Sequence, residues 1–133
     1  MIFIIIFPMK WTPLHGISKN KFKTTKHKFS LSNFVQIHHI IPRQFRNHPV
    51  VSNFNIEDGS NYMFMPNKSG KLFIQTLRPN HQGGHQAYNN YVKFRLEDIY
   101  KNTKPHQHLE SVQNLTIYLR TQICNGCKNI PWK

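Results

Sequence analysis

Apolar positions come in short bursts over the first two thirds of the chain and settle into helical spacing only after residue 85. Phe34-Val35-Gln36-Ile37 and Ile40-Ile41 flank a pair of histidines, and Pro42 closes the run, which predicts a strand over residues 33–41. Residues 43–55 carry no period and read as loop, and Glu57-Asp58-Gly59-Ser60-Asn61 is turn chemistry. Tyr62-Met63-Phe64-Met65 predicts a short strand stopped by Pro66-Asn67, and Lys71–Leu77 a further strand after the turn Lys68-Ser69-Gly70. Ala87, Tyr88, Tyr91, Val92, Leu96 and Ile99 then recur at helical spacing, so a helix begins near His85 and breaks at residues 101–105. Leu109, Val112, Leu115, Leu119 and Ile123 mark a second amphipathic helix, stopped by Asn125-Gly126. Strands followed by helices in this order predict a small α+β fold.

The ends read differently from the middle. Met1–Met9 (MIFIIIFPM) lacks a basic n-region and a small-residue cleavage site, and Pro8 interrupts it, which favours a β-like end over a signal peptide. Residues 10–30 are rich in lysine with almost no apolar rhythm, and read as a basic arm that tracks phosphates. The expected organisation is an arm over 1–30, a folded domain over 31–101, and a C-terminal helix and tail over 102–133 packed on that domain. No apolar run approaches the ~18 residues needed to cross a bilayer.

Charge narrows the function. Eighteen Lys and Arg oppose five Asp and Glu, a net charge of +13 with nine His taken as neutral. Such a surface favours polyanions, nucleic acid ahead of acidic membrane. The five carboxylates are Glu57, Asp58, Glu97, Asp98 and Glu110, and four of them are adjacent pairs whose side chains diverge. Two-metal and glycosidase chemistries need separated carboxylates aimed at one point, so any catalysis falls to histidine.

Three histidine-based features stand out. His38-His39 sits inside an apolar strand, an expensive place for two titratable rings. Neighbours on a strand face opposite ways, which suits two separate jobs: one ring ligating a metal, the other taking a proton from water. The bland alternative is one solvent-facing His and one satisfied core His. His81 and His85 are four residues apart, a spacing that lets two imidazoles hold one ion. Gly83 and Gly84 weaken a continuous helix there, leaving His81 in the loop or on the first turn, with convergence open to both. Asn61, at a turn–strand junction, makes local backbone bonds in the ordinary case, or fixes the loop or ring that carries a catalytic His.

Other candidates are less specific. Arg43, Arg46 and Arg78 lie near these residues in sequence and are candidates for clamping a phosphate, against the alternative of solvated loop arginines. Tyr88 is a core or supporting residue. Cys124-Asn125-Gly126-Cys127 is half of a zinc site, which His106 and His108 could complete only if the intervening helix folded back. Without a βαβ context it is no redox motif, and two cysteines make no secreted framework. An intracellular setting is the default expectation, with secretion as a toxin-like effector also open.

Taken in order, Ile37-His38-His39-Ile40-Ile41-Pro42, then Gly59-Ser60-Asn61-Tyr62-Met63-Phe64-Met65-Pro66, then Arg78-Pro79-Asn80-His81-Gln82-Gly83-Gly84-His85-Gln86-Ala87-Tyr88-Asn89 resembles the HNH, or ββα-metal (His-Me finger), endonucleases, and within them the AHH-type nucleases. The resemblance spans residues 34–100. It implies a ββα-metal core with His38, His81 and His85 around one divalent ion, His39 as general base and Asn61 in support. It further implies phosphodiester hydrolysis in nucleic acid, DNA ahead of RNA. Ile37 departs from the small residue usual before the His pair, and Gln86 from the Pro common after the last His. Imidazole ligands suit Zn²⁺, whereas Mg²⁺ or Mn²⁺ would need phosphate and water oxygens to complete the shell. The rivals are a basic nucleic-acid-binding protein without catalysis, and a small fold in which zinc and these histidines serve structure alone.

Overall fold

The computed structural model describes residues 33–81 and 83–133, together with the backbone of Ile5–Ile6. The basic arm read over residues 10–30 lies outside the described residues. Among the described residues there are four strands: β1 (Ile5–Ile6), β2 (Val35–His39), β3 (Tyr62–Pro66) and β4 (Ile74–Gln75). Three α-helices accompany them among the described residues: α1 (Gly70–Phe73), α2 (Gln86–Asn102) and α3 (His108–Cys124). Strands β2 and β3 form an antiparallel pair in which His38 faces Met63 and His39 faces Tyr62, while β1 and β4 pair in parallel.

The β2–β3 pair is covered on both faces, which is why β3 is buried at all five positions. Met63 and Met65 pack with Tyr88, Val92 and Leu96 of α2 and Val112, Leu115, Leu119 and Ile123 of α3. Tyr62 and Phe64, pointing the other way, pack with Val35, Ile37 and Ile74. Helix α3 thus shares one apolar core with the strands and α2, as do Ile130 and Trp132 beyond it.

Two regions differ from the pattern reading. Residues 71–77 are not one strand: α1 comes first and β4 holds only Ile74–Gln75. The Asn67 Oδ1 accepts from Gly70 N–H at 2.7 Å and the Asn67 carbonyl from Lys71 N–H at 3.0 Å, which curls the chain into a turn. A Cβ on Gly70 would clash with the Phe34 carbonyl, so glycine lets the turn sit against the start of β2. The loop after β2 also has internal order, with 3-10 turns at Arg43–Phe45 and Pro49–Val51. Helix α3 ends as its sequence implies: Gly126 adopts φ 86° and Cys127 N–H returns to the Gln122 carbonyl at 2.8 Å. Among the described residues no helix is long and apolar enough to cross a membrane.

Candidate metal centre and adjoining groove

Register decides where the two histidines of β2 go. His38 shares the face of Met63, toward the helices, and is 2% exposed; His39 shares the face of Tyr62 and is half-buried. The doublet is divided between two faces, as the strand period requires.

His81 and His85 come to His38 from the segment ahead of α2. His81 N–H donates to the Pro66 carbonyl at 2.8 Å, pinning that segment to the end of β3, and His85 is the residue before the first helical turn. The ring centroids stand 4.9 Å apart for His38–His81, 5.3 Å for His38–His85 and 5.1 Å for His81–His85. One ligand atom from each lies within 4.8 Å of the others, the one such His, Cys, Asp and Glu group among the described residues.

The surroundings orient the ring nitrogens. His81 Nδ1–H donates to Gln36 Oε1 at 2.8 Å, and His85 Nδ1–H to Asn89 Oδ1 at 3.0 Å, which leaves both Nε2 atoms as lone pairs. His38 Nδ1 is 3.1 Å from His81 Nε2, and His38 Nε2 is buried without a hydrogen-bond partner. Two nitrogens about 2.0–2.1 Å from one ion stand about 2.9 Å apart at right angles and about 3.4 Å apart in a tetrahedron. The 3.1 Å separation falls inside that range. One nitrogen from each of three imidazoles, all within 4.8 Å of one another, fits a divalent cation.

Protonation agrees with ligation. Burial, then the neighbouring His81 and His85, holds the His38 imidazole well below its ordinary range. Burial and His85 push His81 down to about 4. Both rings are therefore neutral at neutral pH.

Trp132 walls the cluster. Its ring lies 4.9 Å from His85, 5.3 Å from His38 and 5.2 Å from Tyr88, its Nε1–H donates to the Asn80 carbonyl at 3.1 Å, and its own carbonyl accepts from Tyr88 N–H. Tyr88 OH donates to the Ile40 carbonyl at 2.5 Å, tying α2 to the end of β2. Trp132, Gln36 and Asn89 escape sequence reasoning. Asn89 had a signal, lying one turn beyond His85, and Gln36 had one in sharing a strand face with His38; Trp132 had none.

The cluster opens into a groove of about 300 Å³ lined by Ile37, His38, His39, Pro42, Arg43, Gln44, His81 and His85. Arg43 and Arg46 stand beside it, their guanidinium nitrogens 3.1 and 3.6 Å from Glu57 Oε1. Arg78 is not brought there: it is 1% exposed and donates from Nη1 to the Phe64 carbonyl at 2.7 Å. Asn61 does not meet the His39 ring; its Oδ1 accepts from Ile41 N–H at 2.7 Å, and its Nδ2 donates to the Ile41 and Ile56 carbonyls at 3.0 Å each. That amide pins the chain just after the histidine pair. The zinc site imagined for Cys124 and Cys127 with His106 and His108 does not form, because α3 runs unbroken and holds His108 about 24 Å from Cys124 at 1.5 Å per residue.

A family model described as AHH, a nuclease family of the HNH/ENDO VII superfamily with conserved AHH, matches residues 19–117. The chain belongs to that family. No curated protein and no solved structure matches it. The fold mixes helices with a small sheet, and three histidines lie near one another in it, consistent with a small ββα-metal core. Membership makes nucleic acid the class of substrate. Where the family name has Ala, the chain has Ile37, whose side chain joins the cluster of Val35, Tyr62 and Phe64. Gln86 opens α2 and donates to Asn90 at 2.9 Å.

Proposed function

We propose that this AHH nuclease is an endonuclease that hydrolyses phosphodiester bonds in DNA, with one divalent ion held by His38, His81 and His85. The observation that carries the reading is the meeting of three imidazoles, His38, His81 and His85, whose ligand atoms lie within 4.8 Å of one another in the lining of one groove. A divalent ion bound there supplies a Lewis acid for the phosphate oxygens. Zn²⁺ suits three imidazoles; Mg²⁺ or Mn²⁺ would draw more of its shell from oxygen.

The chain's own groups do the rest. His39, on the opposite strand face at the groove's edge, takes the proton of the attacking water. Asn61 holds the backbone beyond it, so that the ring's root does not drift. Arg43 and Arg46 meet the phosphate, and the excess of lysine gives affinity that falls with salt and reads no bases. Trp132 shuts one side of the cluster from water.

Plasmid nicking by the full chain with Mg²⁺, Mn²⁺ or Zn²⁺ tests this. Cleavage that is lost with EDTA and with His39→Ala is expected. Retained DNA binding with no cleavage under any of the three metals would favour the basic binder instead, and undiminished cleavage by His39→Ala would remove that histidine as the base.

A further inference from the structure

Five carboxylates in 133 residues point away from acid chemistry, yet one of them stands at the reacting edge of the groove. Glu57 comes from the turn before β3. Its Oε2 accepts from His39 Nε2–H at 3.3 Å and from the Tyr62 hydroxyl, and its Oε1 faces Arg43 Nε at 3.1 Å and Arg46 Nη2 at 3.6 Å. Tyr62 is also the cross-strand partner of His39, its ring edge-on at 4.8 Å. The imidazole is thus packed on one side by Tyr62 and held at Nε2 by a carboxylate that Tyr62 itself braces.

We infer that Glu57 is the positioning residue for His39, holding the proton on Nε2 so that Nδ1 is the nitrogen that receives the proton of the attacking water. The inference rests on His39 being the base. Its chemical content is separate. An imidazole whose Nε2–H is donated to a carboxylate keeps its lone pair on Nδ1, and rotation of the ring would break that bond. The water proton passes to Nδ1 while the hydroxide oxygen forms the new bond to phosphorus and the leaving oxygen departs with the old bonding pair.

The same carboxylate occupies the two arginines at the groove mouth, which gives the inference a second, opposite signature. Removing it frees positive charge where the phosphate enters, so DNA binding tightens while the chemical step slows. A brace that only stabilised the loop would not produce that pair of effects.

The test uses the full chain with histidine ring nitrogens labelled with ¹⁵N, together with steady-state cleavage kinetics and melting curves. The wild type should show His39 protonated on Nε2. Glu57→Ala should mix the tautomers, lower kcat on the order of 10- to 100-fold, and leave KM for DNA unchanged or lower. Glu57→Gln, whose amide oxygen still accepts from Nε2–H, should keep the tautomer and recover most of the rate. Protonation of His39 on Nδ1 in the wild type would overturn the inference, and that reading needs no variant to fold. So would equal rate losses in both variants that follow only their melting temperatures. Full activity of Glu57→Ala beside an inactive His39→Ala would sink the role of Glu57 alone; an active His39→Ala would sink the base on which it depends.

Discussion

Removing the Asn61 amide should cost more than any other single polar substitution near the groove. The side chain is fully buried and makes three hydrogen bonds, all to backbone: one from Ile41 N–H, two to the Ile41 and Ile56 carbonyls. Asn61→Ala leaves one donor and two acceptors buried without partners. Each carries a penalty of roughly 1–3 kcal/mol, part of which local relaxation recovers, so a loss of about 3–5 kcal/mol is expected. That is a large share of a total near 5–15 kcal/mol. Asn61→Asp separates the bonds: it keeps an acceptor for Ile41 N–H but turns a carboxylate toward two carbonyls. Burial and those carbonyls raise the introduced carboxyl's pKa, so its penalty grows as pH rises above the ordinary Asp range near 3.9. Urea unfolding of both variants at pH 5 and pH 7 reads this directly. A loss below about 1 kcal/mol for Asn61→Ala, or an Asn61→Asp loss relative to the wild type that is no larger at pH 7 than at pH 5, would refute the account of this residue.

Three further outcomes are expected. Zn²⁺ at a hundredfold over its dissociation constant should stabilise the fold by about 2.7 kcal/mol, and His85→Ala should remove that gain; calorimetric melting with and without EDTA checks it. The metal-free protein should lose stability on acidification. The folded state resists protonating His81, so nothing is lost above about 6.5; the loss grows as pH falls toward the His81 value of about 4, reaching about 3 kcal/mol, with His38 adding in the same direction. Denaturant titrations at pH 7, 5.5 and 4 would show it. Trp132→Ala should cost about 3–5 kcal/mol and weaken metal binding, while Trp132→Phe keeps most of the packing; unfolding and metal titration of the two variants distinguish wall from bystander.

The elements most legible in the sequence are those whose signal is periodic. Helices α2 and α3 follow their apolar spacing, and β2 and β3 lie within the runs bounded by Pro42 and Pro66. Residues 71–77 depart from the strand that their apolar spacing predicts because the turn there is made by the Asn67 side chain and by the close approach of Gly70 to Phe34, neither of which is a property of that spacing. At the site, the opposed faces of His38 and His39 follow from strand geometry, whereas His81 and His85 both precede the helix and converge because His81 N–H is pinned to the Pro66 carbonyl, which spacing alone does not reveal. Arg78 lies near the histidines in sequence, but tertiary packing turns it inward to the Phe64 carbonyl. Glu57 and Trp132 arrive from a turn and a tail with no local signature; only the folded chain sets them against His39 and His85.

The central claim is that three imidazoles gather one ion. X-ray absorption of the Zn²⁺- or Co²⁺-loaded full chain counts those ligands directly. One ion per chain with three histidine nitrogens in its shell, falling in occupancy with each of His38→Ala, His81→Ala and His85→Ala, is the expected result. An ion bound through sulfur of Cys124 and Cys127, or a shell unchanged when His38 is replaced, would contradict it.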